Sequence, residues 1–247
     1  VTRAPGTLYG IGLGPGDPEL LTLKAVRLLR AAPVIAYPAA EGQASLARSI
    51  AAPHLPGAQR EIAFPMPMRT DRAPARAVYD AAARAIAAEL REGRDVAALC
   101  EGDPFFYGSF IYLFERLAPR FPVEVVPGIA SVMAAAAAAR RPLAARGDVL
   151  TIVPGPLEDA DLEARLAGCQ SFAILKLGRH FERVRALLDR LGLLDACAFA
   201  ERVSMPGERL TPLREASGPA PYFSMILGYR GTEPAMAAGL PRSAVPA

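Results

Sequence analysis

The sequence predicts an α/β protein, and three observations carry that prediction. Short apolar runs alternate with segments of helical period along most of the 247 residues. Several of those runs end at Gly- or Pro-containing loops that lead straight into a helix start, as strand–loop–helix units do. The composition, 52% hydrophobic and 21% charged, supports a packed core and excludes a disordered chain.

The elements follow in order. Leu8–Leu13 is a short buried strand broken by Gly14-Pro15-Gly16. Asp17 is a helix N-cap with Pro18 at the first helical position and Glu19 at the positive end. Leu21, Ala25, Leu28 and Leu29 recur at helical spacing, with Lys24 and Arg27 off that face. Val34–Tyr37 is a strand stopped by Pro38, Gln43–Ala52 a helix, and Glu61–Met68 a strand broken by Pro65 and Pro67. Pro74–Glu92 is a long amphipathic helix ended by Gly93. Val96–Cys100, Ser109–Leu117, Val123–Val126 and Ser131–Ala139 read as strand, helix, strand and helix. The patternless stretch Pro142–Asp148 suggests a domain boundary, giving 1–144 and 145–247. The second half restarts with strands Val149–Val153 and Phe172–Leu177, a helix Phe181–Leu191, and strands Ala196–Ala200 and Tyr222–Leu227.

Charge and composition exclude several functions. A net charge of +3, with arginines scattered among acids, argues against nucleic acid. The most apolar stretch, Ile129–Ala139, is far short of the ~20 residues a membrane span needs. No signal peptide pattern is seen, so a soluble, cytoplasmic protein is expected. Cys100, Cys169 and Cys197 are widely spaced and read as reduced, mostly buried thiols. His54 and His180 are too few to build a zinc site, so no metal is expected.

Three loops could carry chemistry. The glycines of Gly10–Pro18 follow a strand and let a ligand approach the backbone. Their spacing is not that of a dinucleotide fingerprint, and no P-loop lysine follows. A tight turn before a capped helix is the plain alternative. In the second loop, Glu101-Gly102-Asp103-Pro104 leads into Phe105, Phe106 and Tyr107. Its carboxylates suit an ammonium group and its aromatic faces suit a cation such as a sulfonium. Here the alternative is that Asp103 caps the next helix and the aromatics are core. The third, Val125–Ser131, runs through Pro127-Gly128 into a helix start of small residues. Lys176 lies near a strand end and could touch an acidic ligand, although a plain surface role is the commoner case.

Taken together and in this order, the opening Gly12–Ala25, the loop Glu101–Ser109 and the turn Val126–Ser131 resemble the hallmarks of the tetrapyrrole methylase family. The similarity extends to Leu175–Arg179, Ala200–Arg209 and Pro221–Leu227. Leu99–Leu117, with Val34–Ala39 and Phe64–Met68, is most similar to the branch that methylates precorrin-2 at C20. The resemblance implies two α/β domains with mixed sheets, a cofactor cleft between them, and a homodimer. It implies S-adenosyl-L-methionine as methyl donor, S-adenosyl-L-homocysteine as its product, and a tetrapyrrole substrate whose metal-free or cobalt-containing form stays open. Carried over by position, the cofactor site would comprise Pro15, Glu101, Gly102, Asp103, Phe106, Tyr107, Ala130 and Ser131, with Leu177, Val203 and Tyr222 from the second half. Asp103 is also the candidate catalytic residue.

Overall fold

The computed structural model describes residues 4–40, 42–66 and 73–233. Met68 and the last residues of the chain, which the sequence reading assigned to a strand and a tail, lie outside them. The chain divides into two compact units, Val1–Ala130 and Ser131–Ala247. The segment 142–148 joins the first helix of the second unit to that unit's first strand.

The first unit holds strands β1 (Leu8–Gly12), β2 (Val34–Ala40), β3 (Arg60–Met66), β4 (Val96–Cys100) and β5 (Val123–Val126). Helices α1 (Leu23–Ala31), α2 (Leu46–Ala51), α3 (Ala73–Arg91) and α4 (Phe110–Leu117) connect them. The strands pair in the order β3-β2-β4-β1-β5, every pair parallel. Both faces are covered, which explains the nearly continuous apolar runs. Along β4, Val96, Ala98 and Cys100 pack with Tyr79, Ile86 and Phe110 of α3 and α4. The intervening Ala97 and Leu99 pack with Ala25, Leu29 and Ile50 of α1 and α2. Such a sheet has its ligand crevice where neighbouring strands send their chains in opposite directions. Here that point is β1 and β4: α1 leaves β1 on one face, and α4 leaves β4 on the other.

The second unit opens with helix α5 (Ser131–Ala138) and continues through β6 (Leu150–Pro154), α6 (Asp159–Ala167), β7 (Ser171–Leu175), α7 (Phe181–Arg190), β8 (Cys197–Glu201), β9 (Arg209–Pro212) and β10 (Ser224–Tyr229). The strand order is β6-β7-β10-β8-β9. Only β6 and β7 are parallel, so the mixture of strand directions sits in this sheet. Leu162 and Leu166 of α6 and Val184, Leu187 and Leu188 of α7 form a core with Phe172, Ile174, Phe199 and Ile226 of the strands. Arg230 closes the end of α6 by donating to the carbonyls of Leu166, Ala167 and Cys169.

Several boundaries differ from the sequence reading. The single helix expected from Asp17 is two elements: Asp17 caps a short 3₁₀ turn, Pro18–Leu20, and Leu21 is extended. Thr22 then caps α1, its hydroxyl accepting from the Ala25 N–H at 3.1 Å. Pro38 does not stop β2. It lies past Ala36, the last residue paired with β4, where β2 is hydrogen-bonded on one side only. The strand expected over Phe172–Leu177 ends at Leu175, because Lys176 turns left-handed at φ 56°. Helix α6 and strand β9 were not anticipated. β9 is a largely exposed edge strand without alternating burial, and α6 offers a narrow leucine stripe.

All three cysteines are buried and unbridged, and burial pushes the Cys197 thiol up to about 12. No helix among the described residues is long and apolar enough to cross a membrane. Nor, among them, is there a group of three or more His, Cys, Asp or Glu side chains that could hold a metal ion.

Candidate active site

The three loops singled out above meet at the C-terminal ends of β4, β1 and β5. Past the ends of β1 and β4 the chains turn towards each other. Leu13 N–H donates to the Cys100 carbonyl at 2.9 Å, and Gly14 and Gly102 exchange backbone hydrogen bonds of 3.2 and 2.7 Å. The loop after β5 closes on both. A Cβ on Gly128 would lie 2.1 Å from the Gly102 oxygen, and one on Gly12 would lie 2.5 Å from the Gly128 nitrogen. Backbone touches backbone there, and any side chain would force the loops apart.

Asp103 ties the junction together. Its Oδ1 accepts from the Phe105 N–H at 2.9 Å, and its Oδ2 accepts from the Gly128 N–H at 3.0 Å. The carboxylate therefore fixes its own loop and bolts it to the next one. Gly102 sits at φ +67°, and nothing lies within 4 Å of the place a Cβ would occupy. The loops thus leave an open recess at the point where their backbones converge.

The flanking groups are of mixed character. Glu101 is partly buried, and that burial pushes its carboxyl above the ordinary carboxylate range. Backbone N–H bonds from Glu101 itself and from Ala47, at the start of α2, pull the other way. The three aromatics separate. Phe105 packs edge-on against Phe114 of α4 at 5.1 Å, while Phe106 and Tyr107 make an edge-on pair of their own at 5.1 Å. Tyr107 is held at φ 56°, a backbone state rare for an aromatic residue. Pro15 is partly buried beside Gly14, and Ala130 is buried shortly after Gly128. His54 is not part of a catalytic pair; its Nε2 lies 3.1 Å from the Pro18 carbonyl oxygen.

The remaining candidates belong to the second unit. Ser131 is the first residue of α5. Leu177 follows β7, Val203 follows β8 and Tyr222 precedes β10. Because β10 runs antiparallel to both neighbours, pairing Met225 with Leu175 and Ser224 with Glu201, all three fall at one edge of the sheet. Arg202 N–H donates to the Phe223 carbonyl at 2.8 Å and links two of these segments. Leu177 is fully buried in the core of its unit. Val203 is buried between two left-handed residues, Arg202 at φ 48° and Ser204 at φ 60°. Tyr222 is 76% exposed, its ring edge-on to Phe223. Sequence reasoning missed the paired left-handed residues and the mutual contact of Gly12, Gly102 and Gly128. Neither leaves a mark in one dimension beyond the glycines themselves.

A parallel sheet with glycine loops crossing at its switch point, followed by a second α/β unit with a mixed sheet, defines a known class. The family model for Tetrapyrrole (Corrin/Porphyrin) Methylases matches residues 7–217, and the chain belongs to that family. Among its relatives is the Precorrin-2 C(20)-methyltransferase of a Sinorhizobium species, 42% identical over 231 residues that cover 90% of this chain and 94% of that one. The cobalamin biosynthesis protein CobIJ of Mycobacterium tuberculosis (strain H37Rv) is 41% identical over 245 residues. That match covers 96% of this chain and 48% of the relative, so the chain spans about half of that protein's length. Among solved structures, uroporphyrin-III C-methyltransferase from Thermus thermophilus complexed with S-adenyl homocysteine is similar at a TM-score of 0.66 and 30% identity, over 90% of this chain and 92% of that one.

The residues present suit S-adenosylmethionine. The recess at Gly102 gives backbone groups room to meet a ligand directly. The Glu101 carboxyl stands at the end of β4, and the Phe106–Tyr107 pair offers aromatic surface for a cation.

Proposed function

We propose that this chain transfers a methyl group from S-adenosylmethionine to C20 of precorrin-2, giving precorrin-3A on the route to cobalamin. The observation that carries this reading is the junction of the three glycine loops around the open Gly102 recess. Its support in substrate terms is the 42% identity to a precorrin-2 C(20)-methyltransferase, over nearly the full length of both chains.

When bound, S-adenosylmethionine supplies a methyl already activated by a positive sulfur. What remains for the protein is alignment and exclusion of water. Gly12, Gly102 and Gly128 shape the recess, and Asp103 holds its walls in register. Within the first unit, Pro15 of the first loop and Ala130 of the third belong to this assignment. Ser131, Leu177, Val203 and Tyr222 are the candidate cofactor residues of the second unit. In this assignment Asp103 is a positioning residue, both its oxygens being engaged by backbone N–H groups.

The test is incubation with methyl-labelled S-adenosylmethionine and precorrin-2, followed by mass and NMR analysis of the product. One added methyl, located at C20, is expected. A chelator should leave the rate with metal-free precorrin-2 unchanged. Running the cobalt-containing substrate in parallel decides between the two substrate forms. A methyl at another ring carbon would overturn the C20 assignment. Cofactor binding without methyl transfer to any tetrapyrrole would overturn the substrate class, as for a carrier that has kept only the fold.

The same reading assigns the protein to the cytoplasm as a homodimer acting on a small-molecule substrate. Light scattering at micromolar concentration should give twice the 26.1 kDa chain mass. A mass equal to one chain would rule the dimer out.

A further inference from the structure

Where α3 and α4 pack together, the first unit carries a concentration of guanidinium groups that the strand-end loops do not use. Arg84 and Arg91 lie two turns apart on one face of α3. Arg116 is in the last turn of α4, and Arg120 follows one turn later. With Asp80 they surround an open hollow of about 470 Å³, a size in the usual range of small-ligand pockets. Its floor includes the small residues Ala83 and Ala87, which leave the space clear. Arg91 ends α3 just before β4, and Arg120 follows α4 just before β5. The hollow therefore lies towards the N-terminal edge of the sheet, opposite the glycine loops.

The charges in this hollow are not balanced. Arg116 is paired, its Nε donating to Asp80 Oδ1 at 2.6 Å. Arg84, Arg91 and Arg120 have no carboxylate partner among the described residues. Several arginines elsewhere do have a carboxylate partner, as in Arg48–Glu61, Arg183–Asp159, Arg209–Glu201 and Arg214–Asp195. Arg91 and Arg120 are moreover gathered on one ring, 6.0 and 5.7 Å from the centroid of Phe121. That ring is buried and anchors both side chains. Like charges lining one hollow repel, and an anion seated in it relieves the repulsion. The planar donor forks of arginine suit the oxygens of phosphate and carboxylate groups.

We infer that this hollow is a binding site for a small, multiply charged oxyanion, distinct from the methyl-transfer site. Calorimetric titration of the full chain with sodium tripolyphosphate, citrate and sulfate, at matched ionic strength, tests it. One-to-one binding of tripolyphosphate or citrate, clearly tighter than sulfate, is expected. Whichever of the two binds more tightly identifies the ligand as phosphate- or carboxylate-bearing. The double variant R84Q/R120Q changes two exposed side chains and should keep its fold and its affinity for S-adenosylmethionine, with a Tm lower by roughly 1–4 °C from the lost Arg120–Phe121 contact. Its affinity for the preferred anion should fall about tenfold or more, with two charged donor forks gone. Binding of all three anions at the same weak level would overturn the site. So would a double variant that binds the preferred anion as tightly as the original chain.

Discussion

Replacing Gly102 with valine should abolish S-adenosylmethionine binding while leaving a folded protein. Both halves of that expectation come from the same geometry. Gly102 sits at φ +67°, and a Cβ there would meet no atom within 4 Å. The folded chain has room for the new side chain, so the structural penalty is the left-handed backbone alone, about 1–2 kcal/mol. For a chain of this length that corresponds to a Tm drop of roughly 2–8 °C. The empty space is the recess proposed to receive the ligand, so the valine methyl groups would stand where backbone and ligand must touch. Calorimetry should show no measurable binding, and circular dichroism an unchanged helix and strand content. Alanine should give an intermediate loss, since it adds one carbon in place of three. Wild-type affinity in the folded valine variant would remove this loop from the cofactor site. Gly128 makes the contrasting control. A Cβ there would lie 2.1 Å from the Gly102 oxygen, so Gly128→Ala should damage the fold as well as binding.

The second large effect is expected for Asp103→Ala. The substitution removes two hydrogen bonds, from the Phe105 and Gly128 N–H groups, to a charged acceptor. Bonds to charged groups contribute about 1.5–3 kcal/mol each, and the second of these joins two of the three loops. Losing it should loosen the recess and weaken S-adenosylmethionine binding by roughly ten- to a hundred-fold, at about 1.4 kcal/mol per factor of ten. Asp103→Asn keeps one acceptor oxygen but places an amide donor against one of the two N–H groups, so it should rescue only part of the loss. Hydrogen exchange offers a readout that a direct ligand contact would not move. The Gly128 amide should exchange faster in the ligand-free alanine variant, where its acceptor is gone. Unchanged exchange together with unchanged affinity would show that the carboxylate holds nothing in place.

The elements that sequence reading placed well are those whose burial is uniform. β4 was read to the residue, because a strand covered on both faces is apolar throughout and ends where the loop residues begin. The elements it misjudged are those where a local signal competed with another. Asp17 and Thr22 are both sound helix caps, and sequence alone does not reveal that the chain uses each for a separate turn. Pro38 looks like a stop, yet a strand tolerates it once pairing on one side has ended, and that depends on where β4 lies. β9 carries little apolar pattern and is held at the sheet edge by its pairing with β8.

For the candidate site the division is similar. The residues that make the recess were legible, because only glycine permits backbone-to-backbone contact and only a few residue types follow a strand in that pattern. Their convergence was not. Gly12, Gly102 and Gly128 are far apart in the chain, and they touch only because the strand order places β1 between β4 and β5. Asp103 was expected as a carboxylate facing a ligand. Folding puts the Gly128 N–H 3.0 Å from it and thereby gives it a joining role. Leu177, Val203 and Tyr222 likewise share an edge only because β10 returns antiparallel between β7 and β8. The amino-acid sequence by itself thus determined the fold class, the loops and the family, since these rest on local pattern and residue chemistry. The tertiary structure decided which loops meet, which oxygen is engaged and which arginines stand unpaired. Those depend on strand order and on contacts between residues distant in the chain, which no local property encodes.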